Sequence, residues 1–319
     1  MKAIVVSRFG GPEVLELADV PEPELVEGEV LYEITATAVN FADTHQTEGS
    51  YLRQVSLPFT PGMDFVGHNG DGARVLGKAA GGTYAERIAL LPMWTWPIPD
   101  DVSDPDALAL AVHGATAWHL LRTLGRLGKG DSVLVHAGAG GVGSFAVQLA
   151  KRWGGGRVIA TASSEEKRRV ALDLGADAAV DSTLDDLAPA LLEANNGAAI
   201  DLVLEMTGGR VFDQSLGVLA PFGRLVVYGT ASTTPTTPIQ AESLMDSSRT
   251  ISGFWIRSLL APKYRPAFDA ALFGLFRMVA KGELTPLIGG RYPLADACRA
   301  HEELRARRTV GVQILDVAT

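Results

Sequence analysis

Near its middle the chain reads Gly138-Ala139-Gly140-Gly141-Val142-Gly143. This stretch follows the apolar run Val133–Ala137 and precedes Ser144–Trp153, which has the apolar spacing of a helix. A strand, a turn of the pattern G-x-G-x-x-G and a helix are typical of a dinucleotide site, where the backbone approaches the pyrophosphate and the helix dipole favours its charge. So many glycines would destabilise a turn that had no such use. The sequence therefore predicts that Gly138, Gly140, Gly141, Val142 and Gly143 bind a dinucleotide.

Apolar strands alternate with helices over about residues 110–255. The predicted strands are Ser132–Ala137, Arg157–Thr161, Ala199–Glu205 and Arg224–Tyr228, and the predicted helices are Ser144–Trp153 and Glu165–Leu174. This order predicts an α/β domain whose parallel sheet is covered on both faces.

The two ends of the chain have a different pattern. Short β-type runs broken by Gly and Pro come first, namely Lys2–Val6, Glu29–Ala38 and Tyr84–Leu90. Two helices, Lys263–Lys281 and Leu294–Arg307, and a strand, Val310–Val317, are predicted after residue 255. The stretch Pro92–Pro105 is rich in proline and is predicted to connect two domains.

The composition narrows the possible partners and location. The chain has 319 residues, and its 37 Asp and Glu outnumber its 28 Lys and Arg, which gives a net charge of -9. This argues against nucleic acid or an anionic membrane as a partner, because both attract clustered positive charge. No apolar run reaches the roughly 18–20 residues that span a bilayer, and Met1–Val6 is interpreted as a strand rather than a secretory signal. The lone Cys298 can form neither an internal disulfide nor a thiolate metal site, so a cytoplasmic location is expected.

The end of the second strand of the predicted α/β domain, Arg157–Thr161, bears on the choice between NAD and NADP. An NAD site usually has an acid there to hold the ribose 2′-hydroxyl, but this strand ends in Ala162-Ser163-Ser164. Glu166 follows in the spacing Ser163-x-x-Glu166, which a helix capping box explains. Lys167 and Arg168 come next and suit a 2′-phosphate, although a solvated helix face would also carry them. The sequence favours NADPH over NADH.

The segment Gly130–Gly143, continued by Gln148-Leu149-Ala150-Lys151, closely resembles the signature of the quinone oxidoreductase (zeta-crystallin) family of the medium-chain dehydrogenase/reductase superfamily. The resemblance extends over the whole chain. Further matching segments are Met1–Gly11, Val39–Asp43, Pro61–Asp64, His113–Ala117, Gly223–Val226 and Ala300-His301.

The resemblance implies an architecture and a reaction. A GroES-like, β-rich catalytic domain would comprise residues 1–112 and 255–319, and a Rossmann NADP-binding domain, residues 113–254, would be inserted in it. The cofactor would lie in the cleft between them. The expected reaction is hydride transfer from NADPH to a quinone or an α,β-unsaturated carbonyl compound. The family commonly forms dimers through the edge strand of the Rossmann sheet, which here would include Ile251–Phe254.

The resemblance also implies roles for single residues. Asn40 would lie near the nicotinamide ribose, Thr116 near the central part of the cofactor, and Lys167 at the 2′-phosphate. The family's tyrosine at that phosphate is replaced by Ser182. The remaining cofactor-binding residues expected are Ser163, Gly208, Gly229, Thr230, Phe254 and Trp255.

Zinc-dependent relatives bind the metal with a Cys, a His-Glu pair and a further Cys or Asp. The matching positions here are Asn40 and the pair Met63-Asp64. Asp64 and His68 could be imagined as ligands, but two residues do not close a zinc site. No metal is therefore expected. Without a Lewis acid, conjugated acceptors need less polarisation than alcohols or simple ketones, and the protein supplies position and electrostatics.

The expected catalytic residues are Asn40, Tyr51 and His45, with Asp43 as a further candidate proton donor. A histidine can act as an acid near neutral pH, but His45 could equally line the pocket or the surface, and Tyr51 could be only a pocket lining. Two other functions stay open, an enoyl or acyl-thioester reductase and a non-catalytic NADPH-binding sensor or structural protein.

The segment Val66–Val75 is shorter than in relatives by roughly one hairpin turn. The sequence leaves open whether this opens the pocket or trims a surface loop.

Overall fold

The computed structural model describes residues 1–317. The strands of this part of the chain are, in order, β1 (Lys2–Val5), β2 (Glu16–Asp19), β3 (Val30–Val39), β4 (Asp64–His68), β5 (Arg74–Lys78), β6 (Arg87–Leu90), β7 (Thr95–Pro97), β8 (Val133–Val135), β9 (Val158–Ala162), β10 (Ala178–Asp181), β11 (Ile200–Glu205), β12 (Leu219–Val227), β13 (Thr250–Gly253), β14 (Ile288–Pro293) and β15 (Val312–Asp316).

The α-helices of the same residues are α1 (Phe41–Glu48), α2 (Asp104–Ala109), α3 (Ala115–His119), α4 (Gly141–Arg152), α5 (Glu165–Asp173), α6 (Ala188–Ala194), α7 (Gly209–Gly217), α8 (Ala241–Met245), α9 (Arg265–Ala280) and α10 (Ala297–Arg305). Two π-helical turns, Leu110–Gly114 and Leu120–Leu124, flank α3. Within residues 1–317, no helix combines the length and the apolar character needed to cross a membrane.

The chain divides into two compact units. One comprises Met1–Val112 and the residues from Phe276 onward, and the other comprises His113–Leu275. These units divide after residues 112 and 275, and the expected domain boundaries after residues 112 and 254 stay a prediction. The start of α9 belongs to the His113–Leu275 unit because Gly274 lies against the ring of Trp118 in the same unit, where an added Cβ would come within 2.8 Å of it.

The His113–Leu275 unit is built on a parallel sheet with the strand order β10-β9-β8-β11-β12-β13. This is the order of a doubly wound dinucleotide-binding sheet, and the predicted Rossmann fold is confirmed. The order reverses between β8 and β11, and ligands of such sheets bind at the carboxyl ends of the strands near that point. The glycine-rich turn directly after β8 therefore occupies the ligand-binding end of the sheet.

The other unit contains a mostly antiparallel sheet in the order β14-β15-β3-β4-β5-β7, with β6 also paired to β3, and a separate pair formed by β1 and β2. Strand β15 pairs with β3, so residues from both ends of the chain share one sheet. This matches the expectation that a β-rich domain is assembled from both ends. Its apolar residues form buried clusters, one around Tyr84, Tyr292 and Leu315, and another around Phe65 and Ile34.

The shortened segment forms a tight hairpin between β4 and β5. Asn69 Oδ1 accepts hydrogen bonds from the backbone amides of Asp71 (3.1 Å) and Ala73 (2.9 Å), and Gly72 has a φ of +78° that favours glycine. Residues 70–73 are exposed. The shortening therefore falls in a surface turn.

The prediction that Pro92–Pro105 merely connects two domains is wrong. The stretch contains β7, which pairs antiparallel with β5 and buries Trp96 opposite Leu76. Proline is tolerated here because β7 lies at the edge of the sheet, where a strand end need not donate to a neighbour. A composition rich in proline concealed a strand of the sheet.

Candidate functional site

The glycine-rich turn leaves β8 and enters α4, with Gly140 as the residue that caps the helix. A Cβ on Gly138 would lie 2.6 Å from the methyl of Ala160, and one on Gly143 would clash with the backbone carbonyl of Ala137. These two glycines are thus required by packing. Gly140 differs, because the nearest atom to its added Cβ would be Ala137 O at 3.2 Å, and its φ of -84° suits any residue.

Gly140 lies between the crowded Gly138 and Gly143 in the sequence, yet among the described residues, its chain neighbours apart, only two atoms, both of Ala137, lie within 4 Å of its added Cβ. The first amides of α4 have no partner within the helix, and the helix dipole makes them attractive to an anion. A turn that leaves space beside Gly140 at the start of the helix, and is closely packed at Gly138 and Gly143, fits the pyrophosphate of a dinucleotide.

Strand β9 ends at Ala162, and the helix that follows begins one residue later than the predicted capping box requires. Ser164 is the capping residue, and its Oγ accepts a hydrogen bond from the Lys167 amide at 3.3 Å. The predicted capping role of Ser163 is therefore wrong, because its backbone still belongs to the approach to the helix. Ser163 and Lys167 both lie at the carboxyl end of β9, where the adenosine ribose is expected.

An ion pair that the sequence did not reveal lies at the same end. Arg168 Nη1 is 3.1 Å from Asp181 Oδ2 and 3.4 Å from the carbonyl oxygen of Ala162. Asp181 is the last residue of β10 and is in register with Ala162. The apolar run Ala178-Ala179-Val180 before Asp181 is the signal that could have predicted β10 and its terminal acid.

The loops after β11 and β12 lie together. Buried Glu205 ends β11, and its carboxylate accepts hydrogen bonds from the amides of Thr207 (2.6 Å) and Gly208 (3.1 Å). Burial raises the pKa of Glu205, and these hydrogen bonds oppose the rise. A Cβ on Gly229 would lie 3.1 Å from Met206 in the other loop. The predicted residues Gly208, Gly229 and Thr230 therefore belong to one group of loops at the carboxyl ends of the strands.

Three more predicted cofactor residues lie in this unit. Thr116 is buried on α3, and the ring of neighbouring His113 lies against Gly141 of the glycine-rich turn. The Phe254 amide donates to the carbonyl of Val227 at 2.8 Å, directly after the edge strand β13. The Phe254 ring stacks on His119 with centroids 6.0 Å apart. Trp255 follows and is half-buried, with the Arg257 guanidinium 6.0 Å from its ring centroid.

In the other unit, Asn40 precedes α1 and its side chain is held by Asp64. Asn40 Nδ2 donates to Asp64 Oδ1 at 2.9 Å, while Asn40 Oδ1 is buried and has no hydrogen-bond partner among the described residues. Lys78 is buried and in register with Asp64. Burial raises the pKa of Asp64 to about 6, and the charge of Lys78 opposes the rise. A buried acceptor without a partner is destabilising unless a ligand satisfies it.

Asp43 is fully buried in a network rather than open to a substrate. Its Oδ2 accepts from the Asn40 amide (2.8 Å) and the Tyr84 hydroxyl (3.2 Å), and that hydroxyl lies 3.1 Å from His301 Nε2. Burial raises the pKa of Asp43 to about 7 and lowers that of His301 to about 3. This network anchors the start of α1, and the role of Asp43 as a proton donor stays a prediction.

The two other predicted catalytic residues lie on α1 and just after it. His45 Nδ1 is 3.1 Å from Ser50 Oγ, and the His45 ring packs edge-on to Phe41. Burial lowers the pKa of His45, which keeps the imidazole neutral at pH 7. Tyr51 is half-buried and follows the left-handed Gly49 that ends the helix. Asn40, His45 and Tyr51 therefore belong to one short segment, and their roles stay predictions.

Residues 1–317 contain no group of three or more His, Cys, Asp and Glu side chains placed to hold a metal ion. Asp64 and His68, the two ligands that could be imagined, stand at opposite ends of β4. Four residues of extended strand separate their Cα atoms by about 13 Å, which is too far for a shared zinc ion.

Two protein-family models match the chain. The model for the alcohol dehydrogenase GroES-like domain matches residues 26–100, and the model for zinc-binding dehydrogenases matches residues 141–272. Among curated proteins, a quinone oxidoreductase of Pseudomonas aeruginosa is 34% identical over 98% of this chain and 99% of its own length. The quinone oxidoreductase of Rattus norvegicus is 31% identical over 95% of this chain and 94% of its own length.

Solved structures agree over nearly the whole length. A quinone oxidoreductase of Thermus thermophilus, solved alone and with NADPH, is 37% identical and superposes with a TM-score of 0.87, over 99% of this chain and 100% of that one. The Escherichia coli quinone oxidoreductase in complex with NADPH is 28% identical with a TM-score of 0.92, over the same shares.

Proposed function

Because the chain belongs to the quinone oxidoreductase family of the medium-chain dehydrogenase/reductase superfamily, we propose that it reduces a quinone or an α,β-unsaturated carbonyl compound without zinc. It is an NADPH-dependent oxidoreductase. The observation that carries the cofactor assignment is the turn at Gly140, where an added Cβ would have, beyond its chain neighbours in residues 1–317, only Ala137 within 4 Å, whereas it would clash at Gly138 and Gly143.

The residues of the His113–Leu275 unit would hold the cofactor. The glycine-rich turn would bind the pyrophosphate, Lys167 and Ser163 the adenosine end, and Thr116 the central part. The loops that carry Gly208, Gly229 and Thr230, with the backbone of Phe254 and Trp255, would surround the nicotinamide end. When bound, the reduced nicotinamide supplies the hydride.

The segment 40–51 would serve the reacting end. The Asn40 Oδ1 would accept a hydrogen bond from the nicotinamide ribose, and Asp64 fixes the Asn40 amide so that this oxygen faces away from the Asp64 carboxylate. Tyr51 would lie beside the acceptor, and its hydroxyl could pass a proton to the reduced product. His45, neutral through burial, would form part of the wall of the acceptor site.

The absence of zinc chemistry is proposed from the residues at the family's ligand positions. Asn40 and Met63-Asp64 replace the cysteine and the His-Glu pair, and Asp64 is already engaged with Asn40. An acceptor whose reduced form is a delocalised anion needs no Lewis acid, which favours quinones and enones over simple ketones.

The proposed reaction predicts a pattern across a panel of acceptors. We expect the protein to oxidise NADPH with benzoquinone, naphthoquinone or an enone, and the loss of absorbance at the nicotinamide band measures this oxidation. The activity should remain after dialysis against a zinc chelator. Turnover of crotonyl thioesters without turnover of quinones would indicate a thioester reductase instead. Tight NADPH binding with no acceptor reduced would indicate a non-catalytic binding protein.

A homodimer in the cytoplasm is also proposed. Strand β13 ends the described Rossmann sheet and pairs on one side with β12, so its other edge could pair with a second copy of the chain. Light scattering should then give a mass near twice 33.7 kDa, and a monomer at micromolar concentration would contradict the proposal.

A further inference from the structure

We propose that the ion pair between Arg168 and Asp181 sets the preference for NADPH over NADH, with Arg168 shielding a carboxylate that would otherwise repel the 2′-phosphate. The proposal rests on the proposed cofactor binding by the glycine-rich turn. It assigns opposite effects to two neighbouring side chains, one favourable and one unfavourable for the phosphate.

The ion pair between Arg168 and Asp181 lies at the place where a dinucleotide-binding fold distinguishes NAD from NADP. Selection occurs at the end of the second strand of the sheet, where an acid holds the 2′-hydroxyl of NAD and a cation accommodates the 2′-phosphate of NADP. The second strand here is β9, and it ends at Ala162 without an acid. Asp181 is the residue directly beside Ala162 on β10, so an acid is present at this end of the sheet after all, supplied by the next strand.

The contacts of Asp181 fix its carboxylate in place. Its Oδ1 accepts from the Thr183 amide (2.9 Å) and the Thr183 hydroxyl (2.7 Å), while its Oδ2 lies 3.1 Å from Arg168 Nη1. The hydrogen bonds from Thr183, aided by the charge of Arg168, lower the pKa of Asp181. The carboxylate therefore stays ionised at pH 7 and does not rotate away when a second anion arrives.

The surrounding charges make the shield necessary. Glu165 and Glu166 open α5 nearby and are exposed. Ser182 stands where the family has a tyrosine, and neither a serine nor a tyrosine side chain adds a positive charge. Lys167 would meet the phosphate directly. Arg168 would act mainly through Asp181, because its guanidinium is already held between that carboxylate and the carbonyl of Ala162. The pair is partly exposed, with about a quarter of the Arg168 side chain and a third of the Asp181 side chain accessible, so solvent limits the size of its effect.

The test compares dissociation constants for NADPH and NADH, measured by fluorescence titration, in wild type, Arg168→Ala, Asp181→Asn and the double variant. We expect Arg168→Ala to weaken NADPH about tenfold and NADH less than twofold. Asp181→Asn in the Arg168→Ala background should recover most of the lost NADPH affinity, since the new amide still accepts from Thr183 and carries no charge. The coupling between the two substitutions is the specific signature of a shield.

Arg169→Ala is the matched control, because it removes an exposed positive charge from the same helix one residue away. Equal weakening of NADPH by Arg169→Ala, equal weakening of both nucleotides by Arg168→Ala, or no recovery in the double variant would overturn the proposed pair. Lys167→Ala separates the proposal from the function it rests on. If Lys167→Ala selectively weakens NADPH while Arg168→Ala does not, only the pair is refuted; a wild type that binds neither nucleotide refutes the proposed function as well.

Discussion

Replacing Gly140 with alanine is expected to weaken NADPH binding at least tenfold and to shift the melting temperature of the nucleotide-free protein by less than about 2 °C. The alanine methyl would need only a shift of a few tenths of an ångström from Ala137 O, its nearest neighbour at 3.2 Å, and the Gly140 backbone has an ordinary negative φ. It would instead occupy the space through which the pyrophosphate approaches the turn. Calorimetric titration with NADPH and a thermal melt without it measure the two effects separately.

Gly143→Ala is the matched control and, unlike Gly140→Ala, should lower the stability of the nucleotide-free protein. Its methyl would press into the carbonyl of Ala137, so the fold itself should lose about 1–3 kcal/mol of unfolding free energy. If Gly140→Ala bound NADPH as tightly as the wild type, the turn would not be the pyrophosphate site. Equal loss of stability in both variants would show that all the glycines serve packing alone.

Asp43→Asn is expected to remove a contribution to the unfolding free energy that falls as the pH rises between about 5 and 7. Buried histidines whose pKa values are lowered contribute in the opposite direction in both proteins. Burial raises the pKa of Asp43 to about 7 in the folded protein, whereas the unfolded chain has the ordinary value of about 3.9. Between these two values the folded state binds more protons than the unfolded state, so the unfolding free energy falls as the pH rises. The contribution of Asp43 to the slope is about 1.4 kcal/mol per pH unit at most, because a single carboxyl binds a single proton. The nearby Asp64, with a pKa raised to about 6, titrates in the same range and adds its own contribution in both proteins.

Urea unfolding at pH 5 and at pH 7 measures this difference directly. The wild type should lose up to about 2–3 kcal/mol more than Asp43→Asn between the two values. Asp71→Asn, which alters an exposed carboxylate in the β4–β5 hairpin turn, should match the wild type. Equal pH dependence in wild type and Asp43→Asn would show that the buried carboxyl does not take up a proton in the folded state.

The parts of the fold that the sequence predicted well are those set by local pattern. The glycine-rich turn lies between a buried strand and an amphipathic helix, and each piece is visible within about twenty residues. The alternation of strands and helices likewise predicted the parallel sheet. The predicted helix Glu165–Leu174 begins where α5 begins, but its capping residue was misassigned because Ser163 and Ser164 are both good capping residues, and only the backbone at Ser164 decides between them.

The features that the sequence did not predict depend on partners far apart in the chain. Asp181 lies next to the end of β9, where the cofactor is expected, because β10 places it beside Ala162. This placement depends on the register of two strands, which the local sequence does not show. Tyr84 and His301 meet across 217 residues of sequence, and the Tyr84 hydroxyl also donates to the buried Asp43. Strand β7 was hidden by its prolines, since only an edge position makes them compatible with a sheet.

The pairing of β15 with β3 has a consequence for the order in which the protein is made. The sheet of the unit that contains Met1–Val112 joins β3 (Val30–Val39) to β15 (Val312–Asp316), so a ribosome must synthesise residues 312–316 before that sheet can close. The inserted unit, His113–Leu275, has by then left the exit tunnel with all six of its sheet strands. Domains usually mature from the amino terminus, but in this protein the His113–Leu275 unit is synthesised before β3 can pair with β15.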